Sequence, residues 1–102
     1  MDNARVEQYR SWFSRFVQEH AAGNEQDQRN IILKEEHTMR VCAHALRIAA
    51  GIGLDATATA LAETMALFHD VGRFPQYVRY RTFEDSRSTN HAVLGAKTLL
   101  ER

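Results

Sequence analysis

The sequence is poor in cysteine, proline and glycine, since its 102 residues include one cysteine, one proline and five glycines. Because Cys42 has no second cysteine to pair with, the chain cannot form an internal disulfide, which is compatible with the reducing cytoplasm. The low content of proline and glycine excludes a low-complexity Pro/Gly-rich chain. We therefore expect a cytoplasmic protein in which Cys42 is a small buried thiol within a helix.

The sequence also lacks an excess of charge of either sign and a long hydrophobic run. Thirteen basic residues balance thirteen acidic residues, so no general electrostatic field attracts a nucleic-acid polymer or an anionic membrane. The uncharged, largely apolar stretch 48–54 is far too short to span a bilayer. With 44% hydrophobic residues, the chain is predicted to form a single globular domain over residues 1–102.

What the sequence does contain is helical periodicity, and no stretch shows the two-residue alternation of a β-strand. We predict four helices, over about 2–22, over about 26–50, from 56 to about 71, and from 91 onward. Asp55 is a good N-cap for the third helix, and Gly72 and Pro75 are predicted to end it. The prediction is an all-α helical bundle of about four main helices.

Apolar residues at helical spacing define the faces that we expect to lie inward. In the first helix they are Val6, Tyr9, Phe13, Phe16 and Val17; in the second, Leu33, His37, Val41, His44, Ala45 and Ile48; in the third, Ala58, Leu61, Ala62, Met65 and Phe68. His37 thus shares an inward face, and His69, four residues after Met65, continues the third stripe. Each histidine taken singly has a second interpretation, as a hydrogen-bonded core residue.

Asp70 directly follows His69 and is the least expected residue of this region. A carboxylate in the last turn of a helix faces the negative end of the helix dipole, which is unfavourable by roughly 0.3–1 kcal/mol. It also risks desolvation beside an apolar stripe, so either Arg73 or a metal ion has to compensate its charge. Imidazoles with a carboxylate suit Mn, Fe, Co, Ni or Zn better than Ca. The spacing alone does not decide between a metal and a salt bridge.

The connection between the third and fourth predicted helices, residues 74–90, is unusually long for two helices of one bundle. It follows Arg73 and contains Arg79, Arg81 and Arg87, interleaved with Tyr77, Tyr80 and Phe83. One interpretation is an ordered loop that packs by its aromatic residues and leaves its arginines solvated. The other is a wall that presents guanidinium groups to a phosphate beside a metal.

Three motifs occur in a fixed order along the chain. They are Lys34-Glu35-Glu36-His37-Thr38-Met39-Arg40-Val41, then Ala66-Leu67-Phe68-His69-Asp70-Val71-Gly72-Arg73, then Asn90-His91-Ala92-Val93-Leu94-Gly95. This ordered set resembles the HD domain superfamily of metal-dependent phosphohydrolases over about residues 31–100, including Thr82-Phe83-Glu84-Asp85-Ser86. The resemblance implies an all-α HD-type fold in which His37, His69 and Asp70 bind a divalent metal ion (Mn, Fe, Co, Ni, Zn or Mg).

The same resemblance implies roles for residues around the metal. His91 matches a histidine that in some members contacts a second metal or the substrate phosphate. Arg73 stands where a basic residue could contact phosphate, its alternative being a salt bridge to Asp70. Asp70 is the candidate catalytic residue, which orients a metal-activated water or accepts its proton.

The implied function is hydrolysis of a small phosphorylated substrate, a phosphomonoester or a nucleotide. Two alternatives stay open, a non-catalytic HD-fold module that binds a ligand or regulates, and a helical interaction domain with structural histidines. The family pattern has a further aspartate on a later helix, whereas the acids after Asp70 are Glu84, Asp85 and Glu101. We therefore hypothesise that the chain is the N-terminal portion of a longer HD protein, and we expect an exposed apolar face that could support a homo-oligomer.

Overall fold

A computed structural model describes residues 3–88 and 90–101, and within them the chain is helical and has no β-strand. The helices are α1 (Asn3–His20), α2 (Glu25–Gly51), α3 (Ala56–Phe68), α4 (Arg73–Tyr80) and α5 (His91–Leu100), and a short 3₁₀ turn covers Asp85–Arg87. The predicted all-α fold is confirmed, with one helix more than predicted. The predicted start of the first helix, Asp2, lies outside the described residues. None of the described helices combines the length and the apolar character needed to cross a membrane.

Three helix starts are fixed by side-chain caps that satisfy free backbone N–H groups. Asn24 accepts a hydrogen bond from the backbone N of Asp27 at 2.8 Å, and Asp55 accepts one from Ala58 at 2.8 Å. Asn90 accepts from the backbone of α5 at 2.9 and 3.3 Å. The predicted cap at Asp55 is therefore confirmed, and Asn90 fixes the first turn of α5.

The prediction of an irregular connection is wrong over Arg73–Tyr80, which forms α4. Pro75 does not prevent this helix because it is the third residue of α4, where a backbone N–H would have no acceptor within the helix. The helix ends where Arg81 adopts a left-handed conformation with φ 57° and donates its backbone N–H to the carbonyl of Tyr77. The preceding α3 ends at Phe68, so His69 and Asp70 lie in the turn between the two helices.

The core lies where α1, α2, α3 and α4 meet, and α1 contributes the face predicted for it. The buried cluster consists of Phe13, Phe16, Val17, Ile31, Cys42, Ala66, Leu67, Val71, Phe74 and Tyr77. Phe74 of α4 is completely buried, and its ring meets those of Phe13 and Phe16 edge to face, at centroid distances of 5.7 and 6.0 Å. Cys42 is buried within α2 as expected.

The predicted inward faces of α2 and α3 are wrong in detail. The buried residues of α2 are Ile31, Thr38, Cys42 and Ala49, and those of α3 are Ala60, Glu63, Ala66 and Leu67. By contrast, Leu33 is 53% exposed, Ile48 is 63% exposed and Met65 is 66% exposed. His44 is also exposed. Because both helices carry apolar residues on two faces, periodicity did not identify the buried one.

Candidate metal centre

Four site residues come together where the middle of α2, the α3–α4 turn and the start of α5 meet. His37 lies on α2, His69 and Asp70 occupy the turn after α3, and His91 is the first residue of α5. Asp70 is at the centre, and its side chain is 13% exposed. The His69–Asp70 pair is far in sequence from both His37 and His91, so the packing of the helices creates the site.

The two carboxylate oxygens of Asp70 face different histidines. Its Oδ2 lies 3.4 Å from His37 Nε2 and 3.2 Å from His69 Nε2, whereas its Oδ1 lies 3.1 Å from His91 Nε2. Potential ligand atoms of His37, His69 and Asp70 all lie within 4.8 Å of one another. The structure thus brings the three predicted metal ligands together and places His91 beside them.

The separations between Asp70 and the two histidines fit a divalent ion. Ligand atoms about 2.0–2.2 Å from one ion at octahedral or tetrahedral angles lie about 2.8–3.6 Å apart. The two histidine–Asp70 distances, 3.4 and 3.2 Å, are of this size. Three protein ligands would leave further coordination positions for water or substrate, as catalytic sites require.

The hydrogen bond of His69 indicates what its ring nitrogens can do. His69 Nδ1 lies 2.6 Å from the carbonyl oxygen of Ala66, and because a carbonyl oxygen only accepts, Nδ1 carries the proton. In a neutral ring Nε2 then presents a lone pair to Asp70 Oδ2. Two electron-rich atoms facing each other are unfavourable unless a cation lies between them. A backbone carbonyl that fixes the tautomer in this way is typical of metal-binding histidines.

Arg73 does not form the salt bridge to Asp70 that was one interpretation of its position. Its NH1 contacts Asp85 Oδ1 at 3.3 Å and donates to Gln76 Oε1 at 3.0 Å and to the carbonyl of Phe83. Within the described part of the chain, no basic side chain from α4 or the following loop therefore compensates Asp70. A phosphate contact by Arg73 stays a prediction.

The guanidinium groups of Arg79 and Arg81 contact groups other than the four site residues. Arg81 pairs with Asp27 on α2, and the guanidinium of Arg79 lies 5.3 Å from the ring of Tyr80. The side chain of Arg87 lies outside the described part. The aromatic interpretation of this segment describes its packing better, because Tyr77 and Phe83 stack at a centroid distance of 4.8 Å.

Two residues connected to His91 were missed by the sequence analysis, Asp85, which contacts it directly, and Gln76, which contacts Asp85. Gln76 is fully buried and donates to Asp85 Oδ1 at 2.9 Å and to Ser88 Oγ at 2.8 Å. Although desolvation raises the pKa of Asp85, hydrogen bonds from Gln76 and His91 lower it to about 2. The signal that could have pointed to Asp85 is its place in the Thr-Phe-Glu-Asp-Ser motif.

Two glycines allow α5 to approach the α3–α4 turn closely. A Cβ atom on Gly72 would overlap the carbonyl oxygen of His91 and lie 2.5 Å from the backbone nitrogen of Gly95. A Cβ on Gly95 would lie 3.2 Å from the backbone nitrogen of Gly72. This backbone contact brings the start of α5 against the turn. It thereby places His91 beside Asp70.

Comparison with protein families matches residues 35–102 to the HD domain family, which is two thirds of the chain. Separate comparisons with curated proteins and with solved structures gave no match. The matched segment contains His37, His69, Asp70 and His91, and HD domains commonly bind divalent metal ions and act as hydrolases. From the fold, the geometry around Asp70 and this match, we conclude that the chain belongs to the HD domain family.

Proposed function

We propose that this chain carries the site of a metal-dependent phosphohydrolase that acts on a phosphomonoester or a nucleotide. The observation that supports this proposal best is the pair of imidazole Nε2 atoms facing one carboxylate oxygen, Asp70 Oδ2, at 3.4 and 3.2 Å. The tautomer of His69 leaves a lone pair there, and a divalent cation satisfies all three atoms.

Each residue has a separate task in the proposed reaction. His37, His69 and Asp70 would hold a divalent ion, which when bound supplies Lewis acidity to a phosphoryl oxygen and lowers the pKa of a water molecule. Asp70 Oδ1 points away from the two ligand histidines and can orient that water or accept its proton. His91 Nε2 faces the same oxygen at 3.1 Å and would contact the phosphate. Arg73 would add a positive charge at the edge of the site.

The experiment is elemental analysis of the metal-loaded, desalted protein, combined with hydrolysis of p-nitrophenyl phosphate in the presence of Mn²⁺, Co²⁺, Ni²⁺ or Mg²⁺. We expect the wild-type chain to retain metal. Asp70→Asn should lower metal affinity by at least about tenfold, since even residues that only support ligands contribute this much. It should also abolish turnover.

Asp55→Asn is the matched control, because it makes the same chemical change at the N-cap of α3, at the other end of that helix. Asparagine caps a helix as well as aspartate does, so this variant should fold and retain metal. Equal metal content in wild type and Asp70→Asn would contradict the proposed site. Retained metal without turnover of any phosphorylated substrate would contradict the proposed reaction.

The position of Glu101 favours a second candidate function, that of a non-catalytic HD module. Helix α5 is about 15 Å long, with His91 at its start and Glu101 just beyond its end. The acids after Asp70 in the described residues thus include none that joins His37, His69 and Asp70 as a fourth protein ligand. Thermal stabilisation by a nucleotide without product formation would identify this second function.

A further inference from the structure

Lys34 lies three residues before His37 on α2, on the side of that helix that turns toward the core. Residues of an α-helix advance by about 100° each, so Lys34 is turned about 60° from His37 in the direction of Thr38. Thr38 is fully buried, and Lys34 is half-buried. Arg40, three residues after His37, is turned about 60° the other way and is exposed. Of the two basic residues nearest to His37 along α2, Lys34 is therefore the one that lies toward the inside of the fold.

The ammonium group of Lys34 packs on the loop that joins α4 to α5. Its Nζ lies 4.8 Å from the centroid of the Phe83 ring. The carbonyl of Phe83 accepts a hydrogen bond from Arg73, whose NH1 also lies 3.3 Å from Asp85 Oδ1. Asp85 in turn contacts His91 Nδ1 at 3.1 Å. Lys34 thus lies at the edge of the candidate site, between α2 and the loop that contacts His91.

The positive charge of Lys34 is not compensated by a carboxylate, unlike those of two neighbouring arginines. Arg73 pairs with Asp85, and Arg81 pairs with Asp27. Among the residues that the structure describes, Lys34 has no carboxylate within salt-bridge distance and contacts an aromatic ring instead. The face of an aromatic ring attracts an ammonium group, but it does not use all three of the N–H donors that the group carries. Lys34 therefore keeps both a charge and hydrogen-bond donors for an anion.

We propose that Lys34 is a substrate-binding residue, which binds a phosphate group beside the candidate metal centre. Its role in turnover rests on the proposed function, whereas its binding of a phosphate group does not. Lysine binds phosphate as a point charge, and its flexible four-carbon stem lets the ammonium group move from the Phe83 ring to a phosphate oxygen. The contact holds the phosphorylated end of a substrate and takes no part in bond breaking.

Lys34→Met tests the proposal, because methionine removes the charge, keeps an unbranched side chain to pack on Phe83 and favours a helix. The first measurement is calorimetric titration of inorganic phosphate into the full chain after incubation with Mn²⁺ and desalting. We expect Lys34→Met to bind phosphate at least about tenfold more weakly than the wild type, as for loss of a hydrogen bond to a charged group. Lys34→Arg keeps the charge and should bind more tightly than Lys34→Met.

The second measurement is hydrolysis of p-nitrophenyl phosphate with Mn²⁺, together with the metal content of each variant. Loss of a contact that the bound substrate and the transition state share raises KM and leaves kcat unchanged. We therefore expect Lys34→Met to raise KM by about tenfold or more, with the kcat and the metal content of the wild type. If Lys34 only supported the loop through Phe83, its loss would lower kcat or metal content instead.

Arg40→Met is the matched control, because it removes one positive charge at the same sequence distance from His37, on the outward side of α2. It should bind phosphate as the wild type does. The proposal is overturned by a wild type that binds no phosphate or by a Lys34→Met variant that binds it as tightly as the wild type. It is also overturned if Arg40→Met weakens binding equally, since the effect would then be one of general charge. If the wild type binds phosphate but hydrolyses nothing, the proposed reaction fails while the titration still tests Lys34.

Discussion

Among single residues, the three histidines of the site differ in how firmly their rings are held. His69 donates to the carbonyl of Ala66 at 2.6 Å, and His91 meets Asp85 through Nδ1 at 3.1 Å. His37 has no such partner for Nδ1 within the described residues, and its side chain is 42% exposed. A ligand without a supporting hydrogen bond loses more rotamer freedom when it binds. His37 is therefore the least preorganised of the proposed ligands.

Thr38, the neighbour of His37, is fully buried, and its hydroxyl has no hydrogen-bond partner within the described part of the chain. Valine has the same shape and removes the unsatisfied group, so Thr38→Val should raise the free energy of unfolding by about 1 kcal/mol. Urea denaturation followed by circular dichroism measures this change. In the control Thr64→Val, the hydroxyl that donates to Ala60 at 2.8 Å is lost, and no gain is expected. A destabilised Thr38→Val would show that this hydroxyl is satisfied in solution.

At the scale of secondary-structure elements, the approach of α5 to the α3–α4 turn determines whether the site forms at all. Gly72→Ala places a Cβ against the backbone of His91 and Gly95, so α5 has to move away. We expect a loss of about 1–3 kcal/mol in the free energy of unfolding, as for other overpacked positions, together with loss of metal retention. Chemical denaturation and elemental analysis measure the two effects.

Gly51→Ala is the control for this substitution, because a Cβ there meets nothing within 4 Å. Gly51 is also the last helical residue of α2. Replacing a helical glycine by alanine should be neutral or stabilise by up to about 1 kcal/mol. If Gly72→Ala proved as stable as Gly51→Ala and still retained metal, the close approach of α5 would not be what forms the site.

The same elements show how far the sequence could predict the structure. The N-cap Asp55 and the motif histidines follow local rules and short patterns, so the sequence alone identifies both. Helix α4 was not, because its eight residues give only two turns of periodicity and Pro75 suggested an end. The contact of Asp85 with His91 arises from the fold of the connecting loop, which no spacing rule describes. The buried face of α2 was missed because Leu33 and Ile48 made an exposed face look apolar.

For the molecule as a whole, the helices leave much apolar surface uncovered. The radius of gyration is 14.3 Å, compared with about 13 Å expected for a compact chain of this length. Twelve large hydrophobic side chains are at least 40% exposed among the described residues. An open apolar groove of about 240 Å³ lies between Tyr9, Trp12, Phe68 and Leu99. Surface of this kind is typical of proteins that bind a further protein segment or another copy.

On α2, the exposed Leu33 and Ile48 lie at helical spacing from His37, on the face of the helix that bears the proposed metal ligand. We predict that the chain self-associates in a concentration-dependent way through this face, which sedimentation velocity would detect. The double variant Leu33→Lys with Ile48→Lys should shift the equilibrium toward monomer, because two charged side chains would have to be desolvated in the contact. Val78→Lys, at a position that is 46% exposed on α4, adds one such charge on another helix and should leave association unchanged. A wild-type chain that stays monomeric at every concentration, or a Val78→Lys variant that dissociates as readily as the double variant, would show that the α2 face is not the contact.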